Sequence, residues 1–328
     1  MKRGFHAGLN ERRGFSLIMF SDDELEEIHN ATLEVLEQVG VKVFCDEALD
    51  ILDGAGAYVD RASNTVRFPQ YLVEDAIRSA PGSILLAGRD PKHDMVVEGR
   101  RVGYTNFGAG VMILDPYTGE LRETTKQDVG GTALVCDALD NVDIYSSAVV
   151  GRDMPEKTVD LHEAEAFLSN TTKHCQHIDL TGGAGARGYL DMGAAIAGGT
   201  DELRRRPVIS ALVCPTSPLQ IHTSNAEIII EFARAGVPVN ILSMAMSGAS
   251  SPITLAGTLV THNAEVLAGI VLAQAVRKGA PVIYGSSTTT FDLSYVTAPV
   301  GAPELGMISA GVAELSNFYG MPSYVAGS

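Results

Sequence analysis

Apolar positions recur at helical spacing through the first part of the chain. Ser21 and Glu24 form a capping box, and an apolar stripe follows them as far as Val39. Gly40 is a natural residue to end this helix, because glycine readily takes the left-handed conformation. The pattern also predicts helices over 46–54 and 69–81 and a short strand over 65–68. We therefore expect residues 1–100 to form a helical lead-in.

From residue 101 onward, short apolar runs alternate with helical stretches. The runs that predict strands lie at 102–107, 111–114, 143–149, 177–181, 208–213, 237–242, 282–284 and 323–325. The predicted helices lie at 126–140, 158–170, 187–198, 223–235, 254–277 and 303–319. Such alternation is typical of right-handed βαβ units around a parallel sheet.

The number of strands bears on whether that sheet closes into a barrel. The runs at 102–107 and 111–114 predict a hairpin-like start, and we count about seven strands where a closed barrel needs eight. After the strand at 323–325 only a turn of small residues follows, which leaves an open sheet edge. We predict an α/β fold with a (β/α)8 TIM-type barrel over 101–328 that is incomplete at its C-terminus.

Charge and cysteine content exclude several classes of protein. The formal net charge of −16 argues against nucleic-acid binding, which needs Lys and Arg to displace counterions. The four cysteines are widely spaced, as in a reduced cytoplasmic protein. The basic N-terminus lacks the apolar core of a signal peptide. The apolar run 252–276 carries His262, Asn263 and Glu265 at its centre, so we predict a buried helix rather than a membrane span.

The segments that follow the predicted strands are rich in glycine and small hydroxyl residues. They include 181–183, 214–218, 243–248 and 285–292. Active sites of such barrels lie in these βα loops, and small residues let a bulky or weakly polar ligand approach the backbone. The alternative is that these residues only make good turns.

Several polar and aromatic residues lie near these loops. Glu265 is costly inside an apolar helix unless it is paired, so a hydrogen-bonded structural role is one alternative. Glu227 follows His222 and has a simpler explanation, a capping box with Ser224. The side chains of Tyr284, Phe291 and Tyr295 are candidates for an aromatic surface that attracts a cation, with core packing as the alternative.

Two further motifs point to other kinds of site. Residues 183–188 match GxGxxG, but a dinucleotide site normally lies in the first βαβ unit, so we favour a glycine-rich barrel loop. The side chains of His174, Cys175 and His177 are chemically suited to zinc. No second ligand pair completes a tetrahedron, and His174 and His177 point to opposite faces of an extended segment. We therefore predict no bound metal.

Several long segments are similar to the trimethylamine:corrinoid methyltransferase family. They are residues 20–29, 33–41, 254–260, 263–269 and 279–285, and the resemblance extends over essentially the whole chain. It implies a barrel that transfers a methyl group from an amine to cobalt(I) of a separate corrinoid protein, so this chain itself binds no cofactor directly.

With this activity, the residues in and near the barrel loops acquire expected roles. The expected substrate-binding residues are Tyr284, Ser286, Phe291, Tyr295, Glu265 and His222, and the expected corrinoid-facing residues are Gly182, Gly183, Ser217, Met246, Ser247 and Gly248. The resemblance further implies a small methylamine substrate. We also expect a homo-oligomer and a cytoplasmic location, with neither nucleic acid nor membrane as a partner.

The family has two branches that differ in their catalytic residue. Members similar to the trimethylamine enzyme carry pyrrolysine, whose imine captures the amine, whereas members acting on glycine betaine lack it. In the first branch that residue follows a stretch similar to 324–327, so we expect a pyrrolysine just after Ser328. The alternatives are a quaternary-amine enzyme, an inert fragment that binds the corrinoid protein, and a nucleotide-dependent oxidoreductase that uses residues 183–188.

Overall fold

The computed structural model describes residues 18–99 and 101–327. The basic N-terminal stretch and Ser328 lie outside the described residues. The helices are α1 (Asp22–Glu34), α2 (Asp46–Gly54), α3 (Gln70–Ser79), α4 (Lys126–Ala138), α5 (Val159–Asn170), α6 (Gly183–Ala197), α7 (Thr200–Arg205), α8 (Thr223–Ala235), α9 (Leu255–Val276) and α10 (Pro303–Phe318).

The strands are short, and most follow a helix. They are β1 (Val41–Val43), β2 (Tyr58–Asp60), β3 (Thr65–Arg67), β4 (Ser83–Leu86), β5 (Met95–Glu98), β6 (Met112–Leu114), β7 (Leu121–Glu123), β8 (Ile144–Ser146), β9 (His174–His177), β10 (Ile209–Val213), β11 (Gln220–Ile221), β12 (Val239–Ser243), β13 (Met246–Ser247), β14 (Val282–Ser286), β15 (Thr289–Thr290) and β16 (Ser323–Val325).

The chain forms two compact units. Among the described residues, the first unit comprises 84–212 and the second comprises 18–83 together with 213–327. The second unit is therefore discontinuous in sequence. The division predicted at residue 100 rests on the sequence pattern rather than on contacts, and it stays a prediction.

The first unit is built on parallel strands covered by helices. Strand β9 pairs in parallel with β8 and β10, and α5 packs against both α4 and α6. The strand predicted at 177–181 is displaced to His174–His177. Polar side chains argued against a strand there, but each histidine is hydrogen-bonded: the His174 ring, for example, bonds the Ser210 hydroxyl at 2.8 Å.

The strand predicted at 102–107 does not form. The side chain of Asn106 takes the place of a strand partner, because its amide donates to the Ser146 carbonyl at 2.7 Å and its carbonyl accepts from the Ser146 amide at 3.0 Å. A hairpin does form, but it pairs β6, which lies within the predicted run 111–114, with β7, and the run 102–107 is not part of it.

Helix α9 forms the centre of the second unit. It packs against α1, α2, α3, α8 and α10, and β14 pairs in parallel with β12 and β16. By length and composition α9 alone among the described helices would suffice to span a membrane, yet 72% of its most apolar stretch is buried inside the protein. This agrees with the predicted core helix.

Helix caps confirm one sequence prediction and contradict another. The capping box of Ser21 and Glu24 is present at the start of α1, and Gly40 ends a π-helical extension of that helix with φ of 80°. The capping box predicted for Ser224 and Glu227 is wrong, because α8 begins at Thr223 and its N-cap is His222, two residues before Ser224. The parallel strand pairs of the two units make the fold α/β, as predicted, while a closed barrel is not confirmed.

Candidate active site

Three loops of the second unit lie at the C-terminal ends of parallel strands. They follow β10, β12 and β14, at 214–219, 244–251 and 287–292. The last two are joined by the parallel pair β13–β15 and by a bond from the Ser287 amide to the Ser243 carbonyl at 2.9 Å. These are the loops in which a barrel places its active site.

Glu265 lies behind these loops and binds the first of them together with Ser243, the residue of β12 from which the second loop leaves. Its side chain is fully buried, and its Oε2 accepts from the hydroxyls of Ser217 at 2.7 Å and Ser243 at 2.6 Å. Its Oε1 accepts from the Leu219 amide at 3.0 Å. The carboxylate that looked costly in an apolar helix therefore has three donors, which is the structural alternative raised by the sequence.

His262 lies one turn before Glu265 on α9 and contacts the third loop. Its Nδ1 lies 2.9 Å from the hydroxyl of Thr288, which also lies 3.3 Å from the Ser243 carbonyl. Burial lowers the pKa of His262 to about 3, so its ring is neutral at neutral pH. Its Nε2 is buried without a partner among the described residues.

Burial and hydrogen bonding act on Glu265 in opposite directions. Burial raises the pKa of the Glu265 carboxyl, and the bonds from Ser243, Leu219 and Ser217 oppose that rise. We consider the ionised form the better fit to the geometry, because a carboxylate only accepts hydrogen bonds and all three contacts supply donors.

The predicted aromatic residues lie in different surroundings. Tyr284 is fully buried, and its hydroxyl donates to the side-chain amide oxygen of Asn263, on α9, at 2.7 Å. Phe291 is half-buried, and its amide bonds the Ser247 carbonyl at 3.0 Å. Tyr295 is 80% exposed. Tyr284 therefore points into the helix layer, and its role towards a substrate stays a prediction, as do those of Phe291 and Tyr295.

The other predicted residues of the second unit have mainly local contacts. Ser286 is buried and accepts from the Thr288 amide at 3.2 Å. His222 is exposed, and its ring stacks on Phe44 at 5.1 Å. Ser247 is buried and donates to the Ile253 carbonyl at 2.8 Å.

Two corrinoid-facing candidates of this unit remain partly accessible. Met246 and Gly248 are each half-buried in the loop after β12, and Gly248 has φ of 84°, with the Ile253 side chain 3.8 Å from where a Cβ would be. The Ser217 hydroxyl donates its hydrogen bond to Glu265. The structure thus brings Ser217 and Glu265 together, whereas the roles of all these residues towards a corrinoid stay predictions.

In the first unit, Gly182 and Gly183 form the start of α6 rather than an open loop. Gly182 is the N-cap with φ of 136°, and both glycines are buried. The GxGxxG residues 183–188 lie inside the helix, where a Cβ at Gly185 would be 2.0 Å from the Asp160 carboxylate. These glycines allow close packing beside a negative charge, which is a poor place for a phosphate.

A group of acidic side chains lies beside this helix start. Asp160 accepts from the amide and hydroxyl of Thr181 at 3.0 Å and 2.6 Å. Glu163 is fully buried and accepts from the Gly151 amide at 2.7 Å, but its Oε2 has no hydrogen-bond partner among the described residues. Asp179 has one such orphan oxygen as well.

Burial shifts the pKa values of Glu163, Asp179 and His177 towards the neutral forms. It raises the pKa of Glu163 to about 7, with further contributions from Asp179 and Asp160, and it raises the pKa of Asp179. Burial lowers the pKa of His177 to about 4. The 3.9 Å approach of His177 to Glu163 is therefore not an ion pair at neutral pH.

The three residues that the sequence offered as possible zinc ligands make other hydrogen bonds or are buried in the core. His177 donates from Nε2 to the Asp160 carbonyl at 2.9 Å, and its Nδ1 accepts from the Asp179 amide at 3.2 Å. His174 faces Ser210 instead, and Cys175 is buried. Among the residues that the structure describes, no group of three or more His, Cys, Asp and Glu is arranged to hold a metal ion.

A cavity of about 410 Å³ lies at the other end of the strands in the first unit. Its lining includes Arg89, Arg206 and Val208, and Val208 directly precedes β10. Arg206 is held there by Asp94 through two bonds of 2.8 Å. Because active sites of this fold class lie at the C-terminal ends, we do not place the candidate site in this cavity.

The sequence reasoning missed residues that the structure makes prominent. The side chains of Ser243, Thr288 and Asn263 belong to the hydrogen-bond network around α9, and Asp160, Glu163 and Asp179 form the acidic group. A usable signal existed only for the first network, since three polar residues within four positions of an apolar helix must find partners.

Comparison with known proteins gives one family. The family model described as trimethylamine methyltransferase (MTTB) matches residues 9–328. A trimethylamine methyltransferase of Desulfitobacterium hafniense is 56% identical over 321 residues, which cover 98% of this chain and 64% of that protein. Its counterpart in Methanosarcina barkeri is 49% identical and is covered to 66%. A glycine betaine methyltransferase of D. hafniense is 30% identical, with 94% of this chain and 64% of that protein covered.

Solved structures agree on the fold. The monomethylamine methyltransferase of M. barkeri superposes with a TM-score of 0.57 at 14% identity, over 93% of this chain and 61% of that one. The chain thus spans about two-thirds of the length of its relatives. Since the family model covers nearly the whole chain, the protein belongs to the trimethylamine methyltransferase family.

Proposed function

We propose that this protein transfers a methyl group from trimethylamine to cobalt(I) of a partner corrinoid protein. The observation that carries the proposal is the 56% identity, over 98% of the chain, to a protein named trimethylamine methyltransferase. The glycine betaine methyltransferase of the same species is 30% identical, which favours the tertiary amine over the quaternary one.

The reaction sets requirements on the protein. Cobalt(I) supplies an electron pair to the methyl carbon, the carbon–nitrogen bond breaks, and its electron pair stays on nitrogen. The nitrogen leaves as dimethylamine only if it carries a proton or another electrophile. The protein must therefore hold a small amine in line with the cobalt, and such positioning supplies much of the rate of a bimolecular step.

The loops of the second unit suit this task. Met244 is 50% exposed and Ile253 is 79% exposed beside small residues such as Gly248, so the loops offer apolar surface to methyl groups. Two of their hydroxyls, on Ser217 and Ser243, are occupied by Glu265. Trimethylamine carries three methyl groups on its single polar atom, so it leaves at most one hydrogen bond unmet in such surroundings.

Several finer statements belong to the same proposal. They are a (β/α)8 TIM-type barrel that is incomplete at its C-terminus, the lead-in at 1–100, a homo-oligomer, a cytoplasmic location and the ligand roles of the predicted residues. The pyrrolysine expected after Ser328 is tested by the gene sequence downstream. An in-frame amber codon followed by family-like sequence supports it, and a different stop codon followed by unrelated sequence contradicts it.

The activity is tested with the protein expressed from its native gene. We expect cobalt(I) of the reduced corrinoid protein to convert to methylcobalt(III), with one dimethylamine formed per methyl group, when trimethylamine is added. Glycine betaine serves as the parallel substrate. Methylation from glycine betaine alone would favour the quaternary-amine alternative, and binding of the corrinoid protein without any turnover would favour an inert binding partner.

The 328-residue chain, assayed separately, tests whether an essential residue follows Ser328. Turnover by this chain alone would contradict the claim that an essential residue follows Ser328. The oxidoreductase alternative predicts NAD affinity, and we expect none by calorimetry, because Asp160 lies where the phosphate would bind.

A further inference from the structure

Helix α9 binds loops at both ends of the strands through two buried side chains. Glu265 accepts from the loop after β10 and from Ser243, the last residue of β12. Nine residues further along the helix, towards the other end of the strands, the Gln274 amide donates to the Ala280 carbonyl at 2.9 Å, and its oxygen accepts from the Gly279 amide at 2.8 Å. Gln274 thus holds the segment before β14, where such barrels carry stability rather than catalysis.

Glu265 also fixes a backbone conformation that is unfavourable by itself. Leu219 has φ of 56°, in the left-handed region that a residue with a side chain adopts only when its surroundings require it. Its amide is bonded to Glu265, and its carbonyl accepts from the Lys42 amide at 2.9 Å. The loop after β10 is therefore held on both sides of this residue.

The hydrogen bonds at this position suit a carboxylate better than an amide. The hydroxyls of Ser217 and Ser243 share Oε2, while the Leu219 amide takes Oε1. A glutamine of the same size has one accepting oxygen, so its amino group would face either the Leu219 amide, which cannot accept, or the two hydroxyls, which must then turn and accept. The substitution Glu265→Gln therefore keeps the volume of the side chain, removes the charge and weakens the link between the two loops.

We propose that Glu265 is a positioning residue, whose carboxylate sets the spacing of the loops after β10 and β12 without contacting the substrate. The His262 contact to Thr288 extends the same arrangement to the loop after β14. The effect on catalysis rests on the proposed function, whereas the effect on the loops does not. A misplacement of about 1 Å costs on the order of 100-fold in a reaction that depends on alignment.

The matched variants are Glu265→Gln and Gln274→Met, both made in the protein expressed from its native gene. Each removes buried hydrogen bonds of α9 at a similar volume, but at opposite ends of the strands. Hydrogen–deuterium exchange is followed at 214–219, 243–248 and 278–281. Methyl transfer from trimethylamine to the reduced corrinoid protein is measured over a range of amine concentrations.

We expect Glu265→Gln to speed exchange at 214–219 and 243–248. Its kcat should fall at least about tenfold, with KM for trimethylamine within about threefold, because alignment rather than binding is lost. Gln274→Met should speed exchange at 278–281 only and keep kcat within about twofold. Unchanged exchange at 214–219 and 243–248 in Glu265→Gln would overturn the proposal, and so would equal losses of kcat in the two variants.

The remaining outcomes separate this proposal from the proposed function. If the unmodified protein methylates no corrinoid protein, the proposed function fails, and the exchange pattern alone decides whether Glu265 sets the loops. If Glu265→Gln does not fold, the double variant Ser217→Ala with Ser243→Ala replaces it, since it removes two of the three donors and keeps the carboxylate. Faster exchange at 243–248 in the double variant supports the proposal, and no change contradicts it.

Discussion

The two units each contain a fully buried glutamate on a helix, and the two differ in their partners. Glu265 in the second unit accepts three hydrogen bonds. Glu163 in the first unit accepts one, from the Gly151 amide, and its second oxygen has no partner among the described residues. Burial raises the pKa of both carboxyls.

The difference shows two ways to keep an acid inside a protein. At Glu265 neighbouring donors replace the lost water, so the charge is retained and the donors are held in place. At Glu163, whose pKa is about 7, protonation removes much of the charge, because Asp179 and Asp160 add negative charge instead of hydrogen-bond donors. The first arrangement fixes structure, and the second makes stability depend on pH.

The largest test of this comparison removes each carboxyl group. Glu265→Leu leaves three buried donors unmet, and we expect the free energy of unfolding to fall by about 3 kcal/mol or more, since each such donor costs roughly 1–3 kcal/mol. Glu163→Leu leaves one donor unmet, so we expect about 1–2 kcal/mol on the same basis. Urea unfolding at pH 6 measures both. Equal losses would show that burial, not the number of donors, governs the two sites.

The next test uses pH to distinguish a buried carboxylate from a buried, protonated carboxylic acid. Because the pKa of folded Glu163 is raised to about 7 from an ordinary 4.5, its favourable contribution is fully present below pH 4.5 and is lost as pH rises through 7. We expect the free energy of unfolding to fall by about 2 kcal/mol more between pH 5 and pH 8 in the unmodified protein than in Glu163→Gln.

Urea unfolding of both proteins across this pH range checks the expectation. Asp179 and His177 are present in both proteins, so the difference between the two curves reports the titration of Glu163 together with its coupling to Asp179. Parallel curves would mean that Glu163 ionises inside the protein as readily as it does in water.

The smallest effect concerns the packing around Asp160. Gly185→Ala would place a methyl group 2.0 Å from the Asp160 carboxylate, and we expect a loss of about 1–2 kcal/mol from the forced shift. The control is Gly131→Ala in α4, which meets nothing within 4 Å and should stabilise the protein by about 0.5–1 kcal/mol. Thermal unfolding compares the two variants, and a neutral Gly185→Ala would show that Asp160 moves freely.

The sequence was most informative where helical spacing is strong. The bounds of α2 and α8 agree with their predictions, and those of α5 and α9 lie within one residue of them, because an apolar stripe is set by the helix itself. The predicted position of strand β9 was wrong because its side chains are polar and buried. Their hydrogen-bond partners, such as Ser210, lie on other elements, so the sequence pattern did not indicate a strand.

The candidate site shows the same limit. The cost of burying Glu265 was visible in the sequence, but its partners Ser217 and Ser243 lie 48 and 22 residues away. No local pattern indicates such pairs. The acidic group of the first unit gave no signal at all, because Asp160 and Glu163 have the ordinary spacing of charged residues on a helix.

The discontinuity of the second unit has a consequence for synthesis on the ribosome. The Asn263 amide bonds the hydroxyl of Thr32 across 231 residues of chain, and the Met19 amide bonds Glu314 across 295. At roughly 5–20 residues per second, α1 emerges on the order of 10 to 50 s before α9 is made. Its apolar stripe must remain shielded during that interval, so nascent α1 is where a chaperone that binds apolar helices would engage this polypeptide.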